Sequence, residues 1–295
     1  MERWRIVRRS SILVPNVLGA KPELVEELYT LVTTAPLSGP IILNMSAVTW
    51  VNPYGATSLL GACRFLKERA QETVRLAGLR KDVHAYLRRI DFFERGLEIV
   101  LPIDRFDPCN DYGRSAASSN VLELFPIRIQ RDVLTVASRG RQILTSWLGN
   151  ATYDIDQVVN LIAEACSNIV DHSCDRGTVM IQKYEHTPFI DIELAISDLG
   201  KGIRRTLLAK HGNISDTCSG FIDRALNGLS ARPDGRGGQG LGAIQRIAVK
   251  SGGTLHIRSE MGSVWTELTE KVYHDDLPFF PGTHIAIKFR SNTLD

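Results

Sequence analysis

Three polar residues spaced four apart mark the run Ile155 to His172, IDQVVNLIAEACSNIVDH: Glu164, Asn168 and His172. Ile155, Val158, Val159, Ile162, Ile169 and Val170 recur there at helical spacing, so the run is predicted to be an amphipathic helix with Asp154 or Asp156 near its start. Four residues overshoot one helical turn by about 40°, so the three polar side chains form one row. That row sets a carboxylate, a carboxamide and an imidazole side by side, the ingredients of proton transfer and directed hydrogen bonding. A solvated helix face would have the same pattern. The rest of the chain separates the two readings.

A second candidate is Asp198-Leu199-Gly200-Lys201-Gly202. An acid at a strand end followed by two spaced glycines puts a carboxylate at a sheet rim, beside backbone that a ligand can approach closely. A third is Gly235 to Gly242, with five glycines in eight positions, running directly into AIQRIAVKSGG. A glycine loop feeding a helix N-terminus is a sound anion site. No Gly-Lys-Ser or Gly-Lys-Thr ends it and no Rossmann-type strand precedes it, so a phosphate held here would belong to another nucleotide fold.

Several elements must position these groups. TVMIQKYEH and FIDIELAISD read as two strands joined by a turn at His186-Thr187-Pro188, the second delivering Asp198. Gly282-Thr283 precedes a final strand, HIAIKF. VLELFPIRI opens this half of the chain, followed by a helix over residues 131–149. Residues 203–235 are polar and broken by glycines, with a helix expected around Thr217 to Asn227. Arg204, Arg205, Lys210, Arg224, Arg232 and Arg236 lie in or beside this segment, and most are expected to be solvated.

The first hundred residues alternate strand and helix. WRIVRRSSILVPNV suits one or two strands broken near Pro15, and PELVEELYTLV from Pro22 to Val32 is a helix with proline in its opening turn. A strand from Ile41, a helix from Tyr54 to about Ala70, the strand TVRLAGL, the helix DVHAYLRRI and the strand LEIVLP follow. This predicts an α/β domain whose sheet is covered on one face by helices. Residues 104–120, rich in Asp, Asn, Ser and Gly, read as a linker, giving a first domain at 1–103 and a second at 121–295.

The composition excludes little. The chain has 295 residues, 43% of them hydrophobic and 23% charged, with a net charge of +2 that gives no general attraction to nucleic acid. No apolar run nears the eighteen or so residues of a membrane span, and MERWRIVRRS leads into no signal-peptide core, so a cytoplasmic location is expected. Cys63, Cys109, Cys166, Cys174 and Cys218 are scattered without zinc-ligand spacing and read as reduced thiols.

Taken in order, Glu164-Asn168-His172, Asp198-x-Gly200-x-Gly202, Gly238-x-Gly240-Leu241-Gly242 and Gly282-Thr283 resemble the four motifs of the GHKL superfamily. This is the Bergerat ATP-binding α/β sandwich of gyrase B, MutL, histidine kinases and the serine kinases that act as anti-sigma factors. The resemblance covers about residues 118–290 and implies the roles that follow. Asn168 helps to hold Mg2+ on the phosphates of ATP, and Glu164 orients or deprotonates the attacking group. His172 lies near the phosphate end, and Asp198 accepts the adenine amino proton. Gly200 and Gly202 let the chain pass close to the base. Gly238, Gly240, Leu241 and Gly242 fold over the triphosphate, Thr283 bonds near Asp198, and residues 203–235 form the lid.

LNMSAVTWVNPYGATSLLGACRFLKER and RLAGLRKDVHAYLRRIDFFE resemble the STAS domain of anti-sigma-factor antagonists, over roughly residues 5–103. Where those carry Asp-Ser-Ser-Gly with a phosphate-accepting serine, this chain has Asn52-Pro53-Tyr54-Gly55, so partner docking is expected rather than a serine switch. Three functions remain open: a regulator that uses Mg-ATP to phosphorylate or conformationally control a protein partner, an ATPase whose closure or dimerisation drives an effector, and an ATP sensor without turnover. No histidine has the setting of a histidine-kinase phosphoacceptor.

Overall fold

The structure is a computed structural model that describes residues 10–19, 22–36, 39–102, 121–148, 155–173, 176–231 and 239–292. The chain divides into two compact units, Met1–Ala116 and Ala117–Asp295. The linker expected at 104–120 lies outside the described residues.

In the first unit the elements run β1 (Ser10–Leu13), β2 (Val17–Leu18), α1 (Pro22–Thr34), β3 (Ile41–Asn44), β4 (Trp50–Val51), α2 (Pro53–Ala70), β5 (Val74–Ala77), α3 (Lys81–Arg89), α4 (Phe92–Arg95) and β6 (Val100–Pro102). β1, β3, β5 and β6 form a parallel sheet in that order, and β2 pairs with β4. Alternation along the strands separates two faces. Ile12, Ile41, Leu43, Val74, Leu76 and Val100 are buried, whereas Leu13, Arg75 and Leu101 on the other side are exposed. One face is therefore covered, as the order of elements predicts. α2 starts at an Asn52 cap, whose side chain accepts the Gly55 N–H at 2.9 Å, with Pro53 in the first turn where its missing donor is harmless. Tyr54 is buried within this helix, so its ring packs into the core of the unit.

The second unit runs β7 (Val121–Ile127), α5 (Gln130–Leu148), α6 (Ile155–Asn168), a π-helical turn (Ile169–Ser173), β8 (Gly177–His186), β9 (Phe189–Asp198), α7 (Ile203–His211), α8 (Cys218–Leu226), α9 (Gln239–Lys250), β10 (Thr254–Glu260), β11 (Gly262–Glu267), β12 (Glu270–His274) and β13 (Phe280–Asn292). The seven strands form one antiparallel sheet in the order β12-β11-β10-β13-β9-β8-β7. Register places Val179, Ile196, Ile285, Ile257 and Val264 in one row across five strands. All five belong to the core shared with Val158, Ile162 and Ala165 of α6 and with Ile244 and Ala248 of α9. The apolar stripe read from the sequence of α6 is thus its sheet-facing side.

Four features depart from the sequence reading. α9 begins at Gln239, so Gly240, Leu241 and Gly242 lie in its first turn rather than in a loop ahead of it. α6 ends at Asn168 and widens into the π turn, so the regular winding that aligns Glu164 with Asn168 does not continue to His172. Gly282-Thr283 lies inside β13, where Pro281 and Gly282 form a bulged turn of the strand opposite Ser259 and Glu260, rather than ahead of the last strand. The hairpin of β11 and β12 extends the sheet and fastens α8: Lys271 Nζ and Tyr273 Oη donate to Asp223 Oδ1 at 2.7 and 3.1 Å, and the Ser219 N–H and Oγ donate to Asp275 at 2.9 and 2.6 Å. α8 itself falls where the sequence puts a helix, capped by the Thr217 side chain accepting from Gly220.

Candidate functional site

A cleft with about 830 Å³ of empty space, open water at its mouth included, lies between α6, the ends of β9 and β13, and α7 to α9. A concave lining that is largely apolar with a few convergent polar groups is that of a small-molecule site. Glu164 and Asn168 line it from α6, Asp198 from the end of β9, Gly202 from the turn before α7, Gly240 and Leu241 from the start of α9, and Thr283 from β13. Its apolar lining comes from Ile196, Ile203, Leu207 and Ile285.

On the strand wall, Asp198 is 8% exposed and its Oδ1 accepts the Gly200 N–H at 2.7 Å, which closes a tight turn at the strand end. Gly282 has φ +86°, and a Cβ there would collide with the Asp198 carbonyl. Only glycine lets β13 come this close. Beside Asp198, Ser197 donates its hydroxyl to His284 Nδ1 at 2.7 Å, and His284 Nε2–H donates to the Pro281 carbonyl at 3.0 Å. Burial first, then the Arg258 charge, lowers the His284 pKa to about 3, so the ring is neutral and this tautomer is fixed by its partners.

On the helix wall, Glu164 and Asn168 stand one turn apart on α6. A Cβ on Gly240 would overlap the Glu164 carboxylate, so the first turn of α9 lies directly against it. This opens the positive end of the α9 dipole on the cleft. Gly242 is placed differently: its missing side chain admits the Leu226 carbonyl of α8. Cys166, between the two cleft residues in sequence, faces the core, and burial pushes its thiol pKa up to about 12. The side chain of His172, and Gly238, lie outside the described residues.

Sequence reasoning passes over Arg258, Ser259, Glu260, Ser197 and His284, all buried around the turns that carry Gly202 and Thr283. Only Ser259 interrupts an apolar phase, that of Leu255 and Ile257, whereas the others continue the polar phases of β9, β10 and β13, so register is needed to see what they reach. Among the described residues no group of three His, Cys, Asp or Glu side chains could hold a metal ion. No helix among them is long and apolar enough to cross a membrane.

Residues 153–289 match the family of histidine kinase-, DNA gyrase B- and HSP90-like ATPases. The second unit therefore contains a GHKL domain, and Glu164, Asn168, Asp198, Gly240 and Thr283 all fall within the matched segment. No curated protein matches the chain.

Proposed function

We propose that the second unit binds Mg-ATP in this cleft and uses it to phosphorylate or conformationally control a partner protein, with the STAS-like first unit as docking surface or brake. The observation that carries the reading is the cleft itself: Glu164 and Asn168 from one helix share it with Asp198 and Thr283 from two strands and with the start of α9. Asp198, buried at the strand end, accepts the adenine amino proton, and guanine, with a carbonyl there, leaves that carboxylate unmatched. Ile196, Ile203 and Ile285 provide apolar contact for the base. The α9 N-terminus favours the phosphates, and Glu164 beside it accepts the proton of the attacking hydroxyl or water. The donor set suits Mg2+ held mostly by phosphate and water, with the Asn168 side-chain oxygen as the protein's contribution. His172 follows towards the same end of the helix.

The test is label transfer and phosphate release from γ-labelled ATP with Mg2+, using wild type, Glu164→Ala and Asn168→Ala in the presence of cell lysate. Label on a protein that disappears in both variants supports the kinase form of the proposal. Free phosphate without labelled protein makes the domain a conformational ATPase, and bound ATP with neither product reduces it to a sensor.

A further inference from the structure

We infer that the consecutive residues Arg258, Ser259 and Glu260 are a positioning element that ties together the two turns framing the base end of the cleft. The inference rests on the nucleotide reading above and deepens it. The three side chains are 0%, 1% and 3% exposed, at the end of a strand where apolar residues would be the less costly filling. Each is spent on backbone of the bordering turns.

Ser259 Oγ accepts the Ile203 N–H at 2.9 Å and donates to the Gly282 carbonyl at 3.0 Å. One hydroxyl thus joins the Gly202 turn to the Gly282 turn, and Thr283 Oγ1 lies 3.5 Å from it. Arg258 donates to the carbonyls of Glu260 at 2.8 Å, Phe280 at 3.2 Å and Pro278 at 2.5 Å, which pins the chain entering the Gly282 turn. Glu260 works on the other turn. The register shift after Ser259 and a φ of +57° swing it out of strand alternation, and its carboxylate takes the Arg205 N–H at 3.4 Å and the Arg205 guanidinium at 3.1 Å. A Cβ on Gly202 would press into the Glu260 side chain, so the turn rests on it directly.

The consequence is a base site set before nucleotide arrives. Asp198 is coupled to Gly282 by their close approach, Gly282 to Ser259 by a hydrogen bond, and Ser259 to Ile203 by another. Removing the hydroxyl leaves the half-buried Ile203 N–H and the buried Gly282 carbonyl without that link and lets the two turns move independently.

The experiment measures ADP affinity, ATP turnover and backbone hydrogen exchange on the full chain. Ser259→Ala is expected to weaken ADP binding at least tenfold and to speed exchange in both turns together, with turnover at saturating ATP within threefold of wild type. A residue that only supported the fold would lower melting temperature without this split between affinity and turnover. Arg205→Ala, at a side chain 60% exposed, gives a second variant certain to test the Glu260 arm if Ser259→Ala folds poorly, with about a threefold loss of affinity expected. ADP affinity unchanged in both variants, or exchange altered in one turn alone, overturns the inference. Equal ADP affinity of wild type and Asp198→Asn would instead defeat the base-site reading, while the exchange data still decide whether Ser259 couples the turns.

Discussion

The two walls of the cleft are built on different principles. The helix wall places Glu164 and Asn168 by local geometry, one turn apart on α6. The strand wall places Asp198 and Thr283 by register, through bonds that span long stretches of chain, such as Ser259 to Gly282 across 23 positions and Ser197 to His284 across 87. Local geometry survives small changes elsewhere in the fold. Register does not, because it depends on several strands meeting correctly. With the roles proposed for Glu164 and Asp198, the helix wall should lose chemistry when it is mutated, and the strand wall should lose affinity.

The largest effect is expected from Glu164→Ala, which removes the proposed proton acceptor and should cut turnover by about 10²- to 10⁴-fold while ADP binds within about threefold of wild type. Steady-state phosphate release or label transfer, paired with titration calorimetry, checks both halves. Affinity and turnover lost together would erase the distinction between the walls. Next comes Asp198→Asn, expected to cost about 1.5–3 kcal/mol of nucleotide affinity, read by the same calorimetry with turnover at saturation as the control.

Acid should weaken the strand side of the second unit. Buried His256 and His284 have pKa values lowered to about 3, against 6.5 for an unperturbed histidine, through burial first and then the Arg258 charge. Between those values the unfolded chain binds protons that the folded chain does not, so stability falls as pH drops below about 6.5, by about 1.4 kcal/mol per pH unit for each histidine. Above 6.5 both states are neutral and the contribution is constant. Glu260, whose carboxyl burial pushes up from 4.5, acts in the opposite sense above that value. Melting curves between pH 7.5 and 5 test the slope, and His284→Gln should remove about one proton from it. The smallest effect is expected at the hairpin. Lys271→Ala breaks a partly exposed pair with Asp223 and should cost about 1 kcal/mol or less in chemical denaturation.

The same contrast explains what the amino-acid sequence made legible. α2, α6, α8 and α9 carry apolar periodicity and, at α2 and α8, capping side chains, so their existence follows from local pattern. Glu164, Asn168 and Asp198 were legible for the same reason, as they sit on a helix face and at a strand end. The hairpin of β11 and β12 was not, because GSVWTE and EKVYH mix charge with apolar residues and are short. Nor was the inward role of Arg258 to Glu260. Its meaning comes from a bulge that appears only once β10 is paired with β13. The end of regular winding at Asn168 was likewise hidden, since a π turn has no local composition of its own.

The sheet order has a consequence for how the chain comes to be folded. In the first unit the sheet order β1-β3-β5-β6 follows the order of synthesis, so structure can accumulate as the chain is made. In the second unit the central position, between β10 and β9, is filled by β13, the last strand to be made. Ile285, Ile287 and Phe289 of that strand are buried in the core, so the half-sheets β7 to β9 and β10 to β12 cannot join until residues 280–292 have left the ribosome. A nascent chain paused after His274 would carry two incomplete sheets with open inner edges at β9 and β10, the state in which chaperones and aggregation compete for it.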